Sequence, residues 1–187
     1  MQSGAPAGSS RYGKVFSCEA PRFKSLSVWY HSRVMAKYWL MKSEPHVYSI
    51  DDLARDGSTH WDGVRNYQAR NFMRDEMKQG DRVLYYHSNT KPTAIVGTAK
   101  VVRESYPDFT AFDSRSNYHD PKSNPDSPRW FMVDIEFLEK FPHPVTLEEV
   151  KKHSSLQDMV LVKSGRLSVQ PVKPEEYEVI VQLGQGK

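Results

Sequence analysis

The stretch Trp61-Asp62-Gly63-Val64-Arg65-Asn66-Tyr67-Gln68-Ala69-Arg70-Asn71-Phe72 decides how the middle of this chain folds. From its end onward, Ala69, Phe72, Met73 and Met77 recur at the spacing of one apolar helix face. Asn66 is placed to cap that helix, because an Asn oxygen accepts a free N–H of the first turn. Gly63 allows the backbone to bend sharply just before the cap. The stretch therefore predicts a bend, a cap and an amphipathic helix that is closed by Gly80.

The sequence leaves two interpretations of the large and charged residues in this stretch. In the first, Trp61 belongs to the core and the arginines lie on a solvated helix face. In the second, the helix start and the arginines face an anionic or planar ligand. In that second case we expect replacement of Arg65 or Arg70 by alanine to leave stability nearly unchanged, as surface arginines allow.

Charge is distributed unevenly along the 187 residues. The chain carries a net charge of +3, but residues 1–34 hold five basic residues against Glu19 alone. The rest of the chain therefore has 21 basic and 22 acidic residues. A domain with that balance lacks the broad positive surface that captures nucleic acid at long range. Any nucleic-acid site must be a local patch.

Residues 1–34 show no apolar periodicity and are predicted to be a basic, disordered extension or an upstream start. Their spaced arginines also fit a mitochondrial transit peptide, which we rank below that interpretation. The single cysteine, Cys18, lies in this extension, so a disulfide or a thiol site inside the domain is excluded. This cysteine usage suits a reducing, intracellular compartment. No apolar run approaches the roughly 20 residues of a membrane span.

The remaining chain interleaves short strands with short helices. Helix patterns start after Ser49, after Asn66, at Thr146 and at Pro174. Gly97 falls inside a strand, where glycine often marks a bulge or a close approach. Hairpins without regular βαβ alternation predict an α+β fold around a curled sheet. The predicted strands cover residues 38–42, 82–87, 94–102, 130–141, 159–162 and 167–170.

Enzyme chemistry finds little support in the sequence. Residues 106–128 form a connection rich in proline and aspartate, and compact domains rarely keep so long a loop without a use. His119-Asp120 in this loop could meet His87 in a hydrolase or nuclease site, and Glu44 could act as a base. No phosphate loop, Gly-x-Ser-x-Gly or metal-spaced histidine pair accompanies them. We therefore expect no catalytic residue, no metal and no cofactor.

Aromatic residues give the binding interpretation more support. Trp39, Trp61 and Trp130 stand at element ends or beside loops, although each is equally compatible with a core position. Together with Tyr67, Tyr86 and Arg65 they could line a pocket for a flat ring. A base that stacks on an aromatic ring gains about 1–3 kcal/mol. Nearby amides or hydroxyls could then read the edge of that base.

Four motifs together resemble the EVE domain, a member of the PUA-like superfamily. They are Tyr38-Trp39-Leu40-Met41-Lys42-Ser43-Glu44-Pro45, the stretch that opens at Trp61, Tyr86-His87-Ser88, and Arg166-Leu167-Ser168-Val169-Gln170-Pro171. The resemblance runs in unbroken order from Met35 to about Leu183. Within the EVE domains it is strongest to the thymocyte nuclear protein family and its bacterial relatives. It implies an α+β fold, a PUA-like mixed β pseudobarrel with short flanking helices, over residues 35–184.

The resemblance also implies a function. EVE domains are similar to the domains that read N6-methyladenosine, and family members are regarded as readers of modified bases, 5-methylcytosine derivatives such as 5-hydroxymethylcytosine among them. The implied partner is nucleic acid, in first place DNA with a modified cytosine, which is flipped into an aromatic-lined pocket without catalysis or cofactor. The implied compartment is the cytoplasm of a bacterium or the nucleus of a eukaryote.

The positions that match the family motifs are Trp39, Lys42, Ser43, Trp61, Arg65, Asn66, Tyr67, Arg70, His87, Ser88, Trp130, Arg166 and Ser168. Among them Arg65, Arg70 and Arg166 would hold phosphate or the base edge, and the tryptophans would stack. Two alternatives stay open. One is an enzyme that acts on a nucleotide or modified base, and the other is a protein-interaction module that uses residues 106–128.

Overall fold

The computed structural model describes residues 36–187, which form an α+β fold on one mixed sheet of six strands. The strands are β1 Tyr38–Ser43, β2 Ser58–His60, β3 Arg82–His87, β4 Ala94–Pro107, β5 Phe131–Thr146 and β6 Val169–Val172. Their order is β2-β5-β4-β3-β1-β6, so within the described residues the sheet stays open between β2 and β6. The predicted α+β class and mixed sheet with short flanking helices are confirmed, while the sheet of these residues is not closed into a barrel. The predicted extension, residues 1–34, lies outside the described residues.

The pairing of β4 with β5 forms the long axis of the sheet. These strands span 14 and 16 residues and pair antiparallel with several register shifts. One shift falls at Gly97, where a Cβ atom would overlap the carbonyl oxygen of Glu139. The bulge and close approach expected at this glycine are therefore confirmed, and any other residue would push the two strands apart.

Side chains of alternate strand residues enter two core clusters. In β1, Trp39 and Met41 belong to one cluster, and Leu40 belongs to the other. This separation follows from the two-residue period of a strand, which sends neighbours to opposite faces. Trp39 is 0% exposed and donates its indole N–H to Asp81 Oδ2 at 2.8 Å. The strand therefore uses its first tryptophan as a core residue with its polar atom satisfied.

The helices are α1 Ile50–Asp56, α2 Tyr67–Asn71, α3 Leu147–Lys152, α4 Val160–Lys163 and α5 Pro174–Gly184. Asn66 caps α2 as predicted, with its Oδ1 accepting the N–H of Ala69 at 3.0 Å. The helix continues as a π-helical turn over Phe72–Glu76. The predicted apolar face is also confirmed, because Ala69, Met73 and Met77 are buried and Phe72 packs against the same core. The helix ends at Glu76 rather than at the predicted Gly80. No helix within residues 36–187 is long and apolar enough to cross a membrane.

Several strand assignments differ from the prediction. Strands β4 and β5 each run five residues further than predicted, to Pro107 and Thr146. Residues 159–162 were predicted as a strand but fall in α4, whose Leu161 packs into the second core cluster. Tertiary packing here outweighs the strand preference of β-branched residues. The last strand begins at Val169, two residues later than predicted. The short strand β2 was not predicted, since three residues give no readable alternation.

Candidate functional site

A cleft of about 740 Å³ opens beside the ends of β1 and β3. These strands are parallel, so their last residues, Ser43 and His87, lie side by side. The Ser88 N–H then donates to the Ser43 carbonyl at 2.8 Å and joins the two strand ends. Seven of the predicted site residues line the cleft: Lys42, Ser43, Trp61, Arg65, Ser88, Arg166 and Ser168.

Trp61 is the tryptophan that lines the cleft. It is 8% exposed, and its ring meets the buried ring of Tyr85 edge to face at 5.4 Å. Its backbone N–H donates to the Val133 carbonyl at 2.8 Å, which fixes the segment after β2 against β5. Tyr48 and Tyr118 are the other aromatic residues of the lining. The cleft therefore has one anchored indole and two phenol rings that a planar ligand can contact.

Two polar side chains of the cleft donate hydrogen bonds to backbone carbonyls of the protein. Lys42 Nζ donates to the Gly165 carbonyl at 2.8 Å and lies over the ring of Tyr86. Burial lowers the pKa of Lys42. The hydroxyl of Ser43 donates to the Tyr48 carbonyl at 2.7 Å. Arg166 is exposed at the cleft, so its guanidinium is the more accessible positive charge.

Arg65 reaches from the cleft into the loop of residues 106–128. Its guanidinium donates to Asp108 Oδ2 at 2.7 Å, to Thr110 Oγ1 at 3.2 Å and to the Tyr118 carbonyl. Burial opposes the charge of Asp108, but the hydrogen bonds from Arg65 and Thr110 outweigh it and lower the pKa of this carboxyl. Asp108 is 0% exposed. Arg65 is therefore the counter-ion of a buried carboxylate, which reverses the expectation that its removal leaves stability unchanged.

Beside the cleft lies a group of four predicted residues that we call the arginine–aromatic cluster: Arg65, Tyr67, Arg70 and Trp130. The rings of Tyr67 and Trp130 stack at 4.9 Å, and Arg70 lies 4.9 Å from the centre of the Tyr67 ring. Arg65 lies 5.4 Å from the Trp130 ring. Tyr67 is 54% exposed, so the cluster forms part of the surface. Of these four residues, only Arg65 also lines the cleft.

The long loop supports this cluster. The indole N–H of Trp130 donates to Asp120 Oδ2 at 2.7 Å, and Arg70 donates to the Arg129 carbonyl at 2.6 Å. The sequence offered Asp120 only as a possible partner of His119 in an enzyme site, whereas in the structure it holds the indole of Trp130. The use expected for residues 106–128 is thus at least structural, since the loop holds Arg65 and Trp130.

The remaining predicted residues lie outside the cleft. Trp39 is in the core, so in this structure it has no surface on which a base could stack. Asn66 is engaged as the cap of α2. His87 accepts the N–H of Ile50 at 3.1 Å through Nε2, and burial lowers its pKa, which keeps it a neutral acceptor. Within residues 36–187, no group of three or more His, Cys, Asp or Glu residues could hold a metal ion.

Sequence reasoning missed the observed roles of four residues that shape the site: Asp62, Asp108, Tyr118 and Asp120. The partners of Asp108 and Asp120 became visible only in three dimensions. Tyr118 lies against Gly63, so closely that a Cβ atom there would be 2.7 Å from the Tyr118 Cζ. Gly63 also has a positive φ of 72°. Asp62 follows Trp61 directly and lines the cleft; its position next to a pocket tryptophan was the one signal that sequence offered.

The family model for the EVE domain matches residues 37–183. Thymocyte nuclear protein 1 of Mus musculus is 44% identical over 80% of this chain and 74% of its own length. A structure of a hypothetical protein from Leishmania major has a TM-score of 0.78 at 50% identity, covering 81% of this chain and 96% of that one. Human THYN1, solved in complex with 5-methylcytosine containing DNA, has a TM-score of 0.76 at 40% identity, covering 81% and 99%.

Proposed function

Because this chain belongs to the EVE domain family, we propose that it is a non-catalytic DNA-binding protein that recognises a modified cytosine in the cleft. The observation that carries the proposal is the cleft, which is lined by Trp61, Lys42 and Arg166. It is supported by the 40% identity of this chain to human THYN1, which was solved with 5-methylcytosine containing DNA. The cleft volume of about 740 Å³ falls within the roughly 300–1,000 Å³ that is usual for small-molecule sites. A base inside a duplex must be flipped out to enter such a site.

The free energy of binding must come from a few contacts inside the cleft and at its rim. Flipping a base costs a few kcal/mol, and stacking on an aromatic ring returns about 1–3 kcal/mol. The deficit must come from charge-assisted contacts at the rim, for which Arg166 is the accessible candidate. The chain beyond residue 34 has 21 basic and 22 acidic residues, so we expect few phosphate contacts and a shallow dependence of affinity on salt.

The residues that the enzyme alternative would need for catalysis form hydrogen bonds or ion pairs within this fold. His87 accepts a backbone amide of α1, and Asp120 holds the indole of Trp130. Glu44 is engaged with Asn89 and with His46. These engagements support a binding role over a catalytic one. The vertebrate relatives carry the name thymocyte nuclear protein, which supports the nuclear option for a eukaryotic host.

The test is a binding panel of duplexes that differ at one central base: cytosine, 5-methylcytosine, 5-hydroxymethylcytosine, adenine and N6-methyladenine. We expect a modified cytosine to be preferred over cytosine by about 1 kcal/mol or more, the scale of one added group in an apolar pocket. Arg166→Ala should weaken binding by about 1–3 kcal/mol. Lys151→Ala, which removes a positive charge from exposed α3, is the matched control and should bind normally. Equal affinity for all duplexes, or turnover at catalytic protein concentrations, would contradict the proposal.

A further inference from the structure

Asp62 stands out among the acidic residues near the cleft. It lines the cleft and is partly buried. Within the part of the chain that the structure describes, no other side chain makes a hydrogen bond or ion pair with its carboxylate, whereas Asp108 is paired with Arg65. A partly buried carboxylate without a partner costs folding free energy, because burial removes water that would solvate the charge.

The pKa of Asp62 reflects this setting. Burial is the main cause that raises it, and the nearby Asp108 raises it further. His60, Arg65 and the backbone amide of Asp62 itself act in the opposite direction but do not outweigh burial. The carboxyl group is therefore poorly compensated by the protein, which leaves hydrogen-bonding capacity for a ligand.

The backbone on either side of Asp62 is held firmly. The N–H of Trp61 donates to the Val133 carbonyl at 2.8 Å, and the N–H of Gly63 donates to Asp108 Oδ2 at 3.0 Å. The position of the Asp62 backbone is therefore fixed, so little backbone ordering is needed when a ligand binds. Preorganisation of this kind favours selective contacts over adaptable ones.

A negative group is unsuited to contact the DNA backbone, since it repels phosphate. It is suited to a hydrogen-bond donor, and the amino group of cytosine is a donor that carboxylates accept. We propose that Asp62 is the specificity residue that selects a cytosine by accepting a hydrogen bond from its exocyclic amino group. This inference rests on the proposed function of the cleft and names the edge of the base that is read. Thymine carries the same 5-methyl group but presents a carbonyl oxygen in place of the amino group, so Asp62 rejects it.

The experiment compares 5-methylcytosine, cytosine and thymine at the same position of one oligonucleotide, in the full-length chain and in Asp62→Asn. The ratio of affinities between two bases is compared across proteins, so the cost of flipping each base cancels. We expect the native chain to prefer 5-methylcytosine over thymine by about tenfold or more. Asp62→Asn should lose most of that preference, because an amide can donate to the thymine oxygen as well as accept. Its preference for 5-methylcytosine over cytosine should persist, since both bases carry the amino group.

Asp126→Asn is the matched control, because it makes the same change at an exposed aspartate that does not line the cleft. Its base preferences should equal those of the native chain. Asp62→Asn should also melt at the native temperature or above, because it removes an uncompensated charge. An unchanged ratio of 5-methylcytosine to thymine in Asp62→Asn would overturn the role of Asp62 and leave the proposed function intact. A native chain that binds none of the oligonucleotides would overturn both.

Discussion

The cleft and the arginine–aromatic cluster contain the same residue types, but they differ in how many of their polar groups already have partners within the protein. In the cluster, Arg65 neutralises buried Asp108, Trp130 donates to Asp120, and Arg70 donates to a loop carbonyl. In the cleft, Arg166 is exposed and Asp62 lacks a side-chain partner among residues 36–187. A Trp and Arg composition therefore does not by itself mark a binding site. Lys42 and Ser43 in the cleft are bound to backbone carbonyls, so what distinguishes the cleft is Asp62, whose partly buried carboxylate keeps bonding capacity beside a cavity at a cost in stability.

The largest effect that tests this comparison is on stability. Arg65→Ala should lower the free energy of unfolding by about 3–5 kcal/mol, because it leaves Asp108 buried without its counter-ion. Arg166→Ala should change it by no more than about 0.5 kcal/mol, as for an exposed residue. Urea denaturation of both variants measures the difference. Equal stability of the two variants would show that the cluster and the cleft do not differ in this way.

A smaller effect is expected at Gly63, where the two regions meet. Gly63→Ala forces a side chain into a positive φ of 72° and against the ring of Tyr118. Gly57→Ala is the matched control, because Gly57 has a φ of 77° and open space around it. Both variants should lose about 1–2 kcal/mol from the backbone, and Gly63→Ala about 1 kcal/mol more from overpacking. Thermal or chemical unfolding of the pair isolates the contact with Tyr118, and identical losses would mean that the ring simply moves aside.

The smallest effect concerns His87, which lies outside the cleft and accepts a hydrogen bond from the start of α1. The pKa of His87 is lowered chiefly by burial, so the unfolded chain binds a proton more readily than the folded one. Stability from this group is complete above the ordinary value of about 6.5 and is lost as the pH falls through the lower folded pKa. We expect a loss of about 1 kcal/mol, the scale of one buried hydrogen bond. His87→Gln, which retains an acceptor but no titrating ring, should show a flatter stability profile between neutral and acidic pH; parallel profiles would contradict this account.

Local patterns in the sequence correctly predicted several features of the fold. The cap at Asn66, the face of Ala69, Met73 and Met77, and the bulge at Gly97 were all readable, because each depends on residues close in the chain. The six-stranded order was not readable from pattern alone, since strand pairing joins distant segments. α4 was misassigned as a strand because its packing against the second core cluster outweighs local propensity.

The candidate site was less predictable than the fold. Seven of the residues selected by motif resemblance line the cleft. The same resemblance also selected Trp39, which lies in the core and donates its indole N–H to Asp81. The roles of Asp108 and Asp120 depend on partners that only the folded loop brings near. Asp62 was overlooked because it is notable for lacking a side-chain partner among residues 36–187. The sequence does not show which side chains lack partners in the fold.

The ends of the sheet have a consequence for self-association. An edge strand is a template on which another chain can add a strand, and long flat edges promote aggregation. Here the edges are β2 with three residues and β6 with four, and Pro171 within β6 has no N–H to donate. These two end strands themselves therefore offer a second copy little free backbone on which to add a strand. Short end strands of this kind discourage polymerisation by strand addition.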